Sequence, residues 1–223
     1  MLILGVDTSG MHGSVALAQC EGGKCLVVEV VPLTGGTFSA HLVPEIAALL
    51  RKHECSKQDI DGFAVASGPG SFTGLRVGLA AIKGLAEVLR KPIAAVSLLE
   101  VLALESGIQG RLTTLLDAGR NEVYVGTYEV SNGVAVRIEE KLLSRVQCME
   151  EVSRKTVVTF DPQIAPEARS TGASVIEVKA IRSDAIARLG WKKIQSGDTI
   201  STDELEANYI RRSDAEILAK PVR

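Results

Sequence analysis

The sequence predicts an α/β protein of two related domains, each a mixed sheet flanked by helices, with the second domain reduced. Two observations carry that prediction. The order apolar strand, aspartate, polar turn, strand, hairpin turn, strand occurs twice. Fifteen residues separate Asp7 from Gly22, and fifteen again separate Asp117 from Asn132. The run Phe63-Ala64-Val65-Ala66 also enters a glycine-proline turn, and a long apolar helix pattern leaves it. That strand, turn and helix is the layout of an anion-binding loop in α/β proteins. The domain boundary is expected in the segment 107–110, which divides the chain into residues 1–106 and 107–223.

Residues 2–6 form a continuous apolar run of the kind buried on both faces, and it ends in Asp7-Thr8-Ser9-Gly10. Strands are expected at 14–18 and 25–31 around the Gly22-Gly23 hairpin turn, with residues 32–36 breaking the sheet. A helix follows over 39–53, and its stripe of Leu42, Val43, Ile46, Ala47, Leu49 and Leu50 is wider than one buried face needs. After the glycine turn a helix is expected over 73–90. Its charges, Arg76, Lys83, Glu87 and Arg90, fall in one narrow stripe at 100° per residue. Gly74 and Gly78, one turn apart, with Ala81 and Gly84, offer a small surface on which a neighbouring helix can approach closely. A strand at 93–96 and a short apolar helix at 98–105 complete the first half.

The second half opens in the same way, with an apolar run at 112–116, Asp117 and a strand at 122–130. The Asn132-Gly133 turn and a strand at 134–143 follow. Strands at 156–160 and 175–178, a helix over 162–170 and an amphipathic helix over 182–195 are expected beyond. Tyr209 is expected to anchor the tail.

Composition narrows the function classes. A chain of 223 residues with 46% apolar content can bury a sizeable core. Twenty-five basic against 27 acidic residues give a net charge of −2, which offers no reason to expect strong nucleic-acid binding by this chain alone. Cys20, Cys25, Cys55 and Cys148 form no zinc spacing, although Cys20 and Cys25 flank a hairpin turn that is compatible with a disulfide. The first residues lack the basic flank of a signal peptide, no apolar run reaches about 18 residues, and a reduced cytoplasmic location is the expectation.

The glycine turn fits neither established phosphate motif. No lysine follows as in a P-loop, and Thr73 stands where the dinucleotide fingerprint has its third glycine. Read as residues alone, the loop fits phosphate binding and simple helix capping by Ser71 or Thr73 equally well. Aspartates that end a strand are ordinary turn residues, and they also hold phosphates or magnesium where two such turns serve one nucleotide. The duplicated aspartate turns resemble those of the actin, heat-shock ATPase and sugar-kinase superfamily.

A closer resemblance lies in Ser67-Gly68-Pro69-Gly70-Ser71-Phe72-Thr73-Gly74-Leu75-Arg76-Val77-Gly78, which looks like the signature of the TsaB (YeaZ) family. Gly5-Val6-Asp7-Thr8-Ser9, Asp117-Ala118-Gly119-Arg120-Asn121-Glu122-Val123-Tyr124 and Tyr209-Ile210-Arg211 are similar to its other blocks. The resemblance implies a non-catalytic partner of TsaD, joined by the ATPase TsaE, in threonylcarbamoylation of adenosine 37 of tRNAs reading codons that begin with A. It implies contact with tRNA only through that complex, a homodimer when alone, and no cofactor.

TsaD-type enzymes carry a His-x-x-x-His metal pair on a helix after the next strand. The corresponding positions here are Leu98 and Leu102, and leucine cannot bind metal. On this reading Asp7, Thr8, Ser9, Gly68, Gly70 and Asp117 are vestiges of a phosphate site. The resemblance places the partner contact on the helices flanking the glycine turn, with Leu42, Ile46, Leu49, Gly74, Gly78 and Ala81 as candidates. The alternative is an ATP- or metal-dependent, glycoprotease-like enzyme of the same superfamily.

Overall fold

In the computed structural model, which describes residues 1–34, 36–208 and 210, the chain forms two five-stranded sheets. Strands β1 (Leu2–Asp7), β2 (His12–Glu21) and β3 (Lys24–Thr34) make an antiparallel meander. β4 (Gly62–Gly68) joins β1 in parallel and β5 (Ile93–Ser97) joins β4, giving the order β3-β2-β1-β4-β5. Parallel neighbours require crossovers, and here they are helices α1 (Phe38–Lys52) and α2 (Phe72–Leu89).

The second sheet repeats this plan. β6 (Gly110–Gly119), β7 (Glu122–Ser131) and β8 (Val134–Ser144) form the meander, and β9 (Thr156–Thr159) and β10 (Ser174–Glu177) add in parallel. The order is β10-β9-β6-β7-β8. Its crossover helices are seven residues each, α4 (Arg145–Glu151) and α5 (Ile164–Ser170), against 15 and 18 residues in the first sheet. The second domain is reduced in this sense. Its α4, capped by Ser144 with Gln147, lies in a segment where no helix was expected from periodicity.

The duplication extends to irregularities. The β2–β3 register shifts at Leu17/Ala18 and the β7–β8 register at Thr127/Tyr128. Leu17 and Thr127 are 110 residues apart, as are Asp7 and Asp117. Each shift leaves one exposed apolar residue unmatched on the edge strand, Val28 or Ile138. Bulges of this kind twist an edge away from pairing with other chains.

The compact units are Met1–Ser97 with Ile181–Asn208, and Leu98–Ala180. The expected division into 1–106 and 107–223 therefore needs correction at both ends. Helix α3 (Leu98–Glu105), which follows the first sheet, packs on β6, β7 and β8. Helix α6 (Ser183–Ser196), which follows the second, lies on β1, β2, β4 and β5. Side-chain size explains the second placement. Leu4, Val6, Phe63 and Val65 face the large core formed with α1 and α2. The alternate positions Gly5, Gly62 and Ala64 face α6, where a Cβ on Gly5 would meet Ser183 and Ala187. A Cβ on Gly190 of α6 would in turn overlap that of Ala64. Only residues this small let helix and sheet approach so closely.

Two further points concern the β2–β3 hairpin. β3 runs to Thr34 through Pro32, which an edge strand tolerates because one side has no ladder bond to lose. Cys20 and Cys25 are register partners across the hairpin and are joined as a disulfide.

Candidate functional site

The glycine turn sits between β4 and α2, with a cis peptide at Gly68-Pro69 and a positive φ of 126° at Gly68. A Cβ there would lie 3.1 Å from the Asn208 carbonyl oxygen, and the Asn208 amide donates to the Ser67 carbonyl at 2.7 Å. On the other side the Ser71 amide donates to the Ser9 carbonyl at 2.6 Å. Ser71 caps α2, its hydroxyl accepting from the Gly74 amide at 3.3 Å. The Ser71 and Gly74 amides, donors of the kind an anion-binding loop turns toward its ligand, are thus bonded within the chain.

The Asp7 turn locks into this arrangement. Thr8 Oγ1 donates to the Gly74 carbonyl at 2.7 Å. Gly70 leaves no room for a Cβ beside Ser9, and Gly74 and Gly78 leave none beside Thr8. Asp7 is 5% exposed and accepts from the Ser9 amide at 2.9 Å and the Ser9 hydroxyl at 2.6 Å. Burial raises its carboxyl pKa, opposed by those two bonds. Asp117, its counterpart, is exposed. It accepts from the Gly119 amide at 3.1 Å and lies 3.6 Å from the Arg145 guanidinium. Asp7, Thr8, Ser9, Gly68 and Gly70 therefore cluster, whereas Asp117 belongs to the second sheet.

Leu98 and Leu102 of α3, where the resemblance implies the metal pair of TsaD-type enzymes, are 6% and 0% exposed. Their neighbours Leu99 and Val101 are buried as well. Among the described residues, no group of three or more His, Cys, Asp or Glu is placed to hold a metal.

The expected partner face needs correction. Leu42, Ile46 and Leu49 are 1%, 4% and 2% exposed, and all belong to the core over the first sheet. Gly74 and Gly78 press on Thr8, and Ala81 is only half-buried. The most hydrophobic arcs of both wide apolar stripes point at the sheet. What remains outward is a groove of about 470 Å³ between α1 and α2, lined by Val43, Phe72, Val77, Ala80 and Ala81. Val43 is 52% and Phe72 38% exposed, and Arg76 stacks 3.7 Å over the Phe72 ring. A second depression of about 400 Å³ continues past Ser39 and Thr73 to Met11, which is 83% exposed.

Sequence reasoning missed Val43, Phe72, Ala80 and Met11 as surface and Asn208 as backing for the loop. Tyr209 and Arg211 of the C-terminal block lie outside the described residues. No helix among the described residues is long and apolar enough to cross a membrane.

Comparison with known proteins adds the context for this geometry. The family model described as TsaD, tRNA N6-adenosine threonylcarbamoyltransferase, matches residues 30–165. The tRNA threonylcarbamoyladenosine biosynthesis protein TsaB of Bacillus subtilis is 34% identical over 139 residues, 62% of this chain and 59% of that protein's length. The protein of the same name from Escherichia coli is 27% identical over 227 residues, covering 96% of each chain. Among solved structures, YeaZ from Pseudomonas aeruginosa superposes with a TM-score of 0.73 at 23% identity, covering 93% of this chain and 99% of its own. That superposition bears on the fold.

Proposed function

The chain belongs to the TsaD family, in its TsaB (YeaZ) branch, and from that premise we propose that it is a non-catalytic scaffold and activator. It takes part in tRNA threonylcarbamoyladenosine biosynthesis. In the proposed role it pairs with TsaD, joins TsaE in a larger complex, and supports modification of adenosine 37 in tRNAs reading codons that begin with A. The setting is cytoplasmic, and tRNA is met only through the complex.

The observation that carries the subunit reading is the filled loop. The Ser71 amide donates to the Ser9 carbonyl and the Gly74 amide to the Ser71 hydroxyl, so donors that such a loop would offer an anion are spent within the chain. The chemistry of the donor set points the same way, because Leu98 and Leu102 offer no lone pair to a metal. An ATP- or metal-dependent enzyme of the same superfamily would have to work through Asp7, whose carboxylate already serves Ser9.

The partner surface proposed is the outward groove of α1 and α2, with Val43, Phe72, Val77 and Ala80 joining Ala81 in place of the buried Leu42, Ile46, Leu49, Gly74 and Gly78. Exposed apolar side chains grouped on two adjacent helices fit helix-on-helix packing with TsaD, or with a second copy when TsaD is absent. The deciding experiment is reconstituted tRNA threonylcarbamoylation with TsaD and TsaE, with and without this chain. Omission is expected to lower activity at least ten-fold; undiminished activity would overturn the proposal.

A further inference from the structure

The face of the second sheet that carries α4 and α5 changes character along its strands. At one end Leu115, Val123, Val125 and Val157 build a core with Cys148, Val152 and Ile164. Further along the same face the side chains become polar. Thr113 of β6 is opposite Thr127 of β7, which is opposite Glu139 of β8, and Arg111 precedes by two residues. Period-two alternation puts these four on the face of Leu115 and Val125. Helix α4 ends at Glu151, and beyond it a depression of about 420 Å³ lies over the polar patch, with Glu151 and Lys155 at its wall.

Its hydrogen-bonding balance is one-sided. Thr113 is 2% exposed, yet its hydroxyl has no partner among the described residues. Buried hydroxyls are ordinarily bonded, and this one is not sealed off but opens on the depression it lines, where an entering group can reach it. Arg111 makes no ion pair among the described residues, even with Glu129 opposite it on β7. The two carboxylates are already engaged, because Lys141 lies 2.8 Å from Glu139 and 2.9 Å from Glu151. Lys155 reaches Glu151 only at 3.6 Å. The unused capacity is therefore donor capacity, in a guanidinium, an ammonium and threonine hydroxyls.

We propose that this depression binds a small oxyanion, the phosphate or carboxylate group of a metabolite, between Arg111 and Lys155 with the Thr113 and Thr127 hydroxyls donating from the floor. Arginine offers the planar fork that matches either group, and lysine adds a mobile charge. The volume exceeds that of a bare phosphate and leaves room for the rest of a small molecule. Glu139 and Glu151, held by Lys141, would stand beside that remainder and favour one carrying hydroxyl or amino donors. The site is independent of the α1–α2 groove and of the tRNA-modification reading.

The test is amide-resolved NMR of the full chain, titrated with inorganic phosphate and, separately, with citrate. Saturable shifts are expected at Thr113, Thr127 and Lys155. Preference for phosphate would identify a phosphorylated ligand, and preference for citrate a carboxylated one. Arg111→Gln with Lys155→Gln, two surface changes, should weaken binding at least ten-fold, and Thr113→Val should weaken it with the melting temperature little changed. Shifts that fail to saturate with both anions, or wild-type affinity in the variants, would overturn the proposal.

Discussion

Thr8 and Gly74 hold the end of β1 against the start of α2: the Thr8 hydroxyl donates to the Gly74 carbonyl at 2.7 Å, and a Cβ on Gly74 would overlap the Thr8 carbonyl oxygen. One turn later Gly78 has the same relation to Thr8 Oγ1. Gly74 and Gly78 are therefore used up inside the domain. They seal the aspartate turn to the glycine turn, which puts the proposed partner face elsewhere on the helix.

Gly74→Ala is accordingly expected to destabilise the protein by about 2–3 kcal/mol, since the clash is with backbone that cannot swing aside. Gly84→Ala, at an exposed helical position with open space around it, should instead stabilise by about 0.5–1 kcal/mol. Urea unfolding of the two variants checks both signs at once.

Val43→Asp combined with Phe72→Ser should leave stability within about 1 kcal/mol of the wild type, because both side chains are substantially exposed. The same variant should bind TsaD at least ten-fold more weakly in calorimetry. Ile46→Asp is not a clean probe of the interface, since it puts a charge in the core beside Leu42 and Leu49.

Asp7 sets a pH dependence whose sign can be worked out. Burial raises its folded pKa above the ordinary 3.8, so the folded state holds this proton more tightly than the unfolded one. The associated stability is full below about pH 3.8 and is lost as pH rises through the raised value. Asp7→Asn, which keeps an acceptor for Ser9, should therefore be more stable than the wild type at pH 7. The gap should close on acidification. Denaturation curves for both proteins between pH 3 and 7 measure it, and a gap that widens toward acid would refute the assignment.

A fragment of residues 1–106 is expected not to fold cooperatively. It lacks α6, leaving the Gly5, Gly62 and Ala64 face of its sheet uncovered, and it carries α3 without the sheet that α3 packs on. Circular dichroism melting of the fragment tests this; a sharp transition like that of the full chain would contradict it. Gly190→Val in the full chain should reproduce part of the defect, by about 2–3 kcal/mol, through overlap with Ala64.

Much of this was legible without coordinates. Alternation and turn residues located the strands, and the doubled Asp7 and Asp117 turns announced two related sheets, because those signals depend only on near neighbours along the chain. The glycine turn and its helix were legible for the same reason. Periodicity failed with Leu42, Ile46 and Leu49, where a wide apolar stripe does not say which arc meets the sheet and which meets solvent. Contacts between distant segments decided that, together with the exchange of α3 and α6, the pressing of Gly74 onto Thr8 and the seating of Asn208 behind the loop. Each depends on which small residues come face to face, a relation no local pattern encodes.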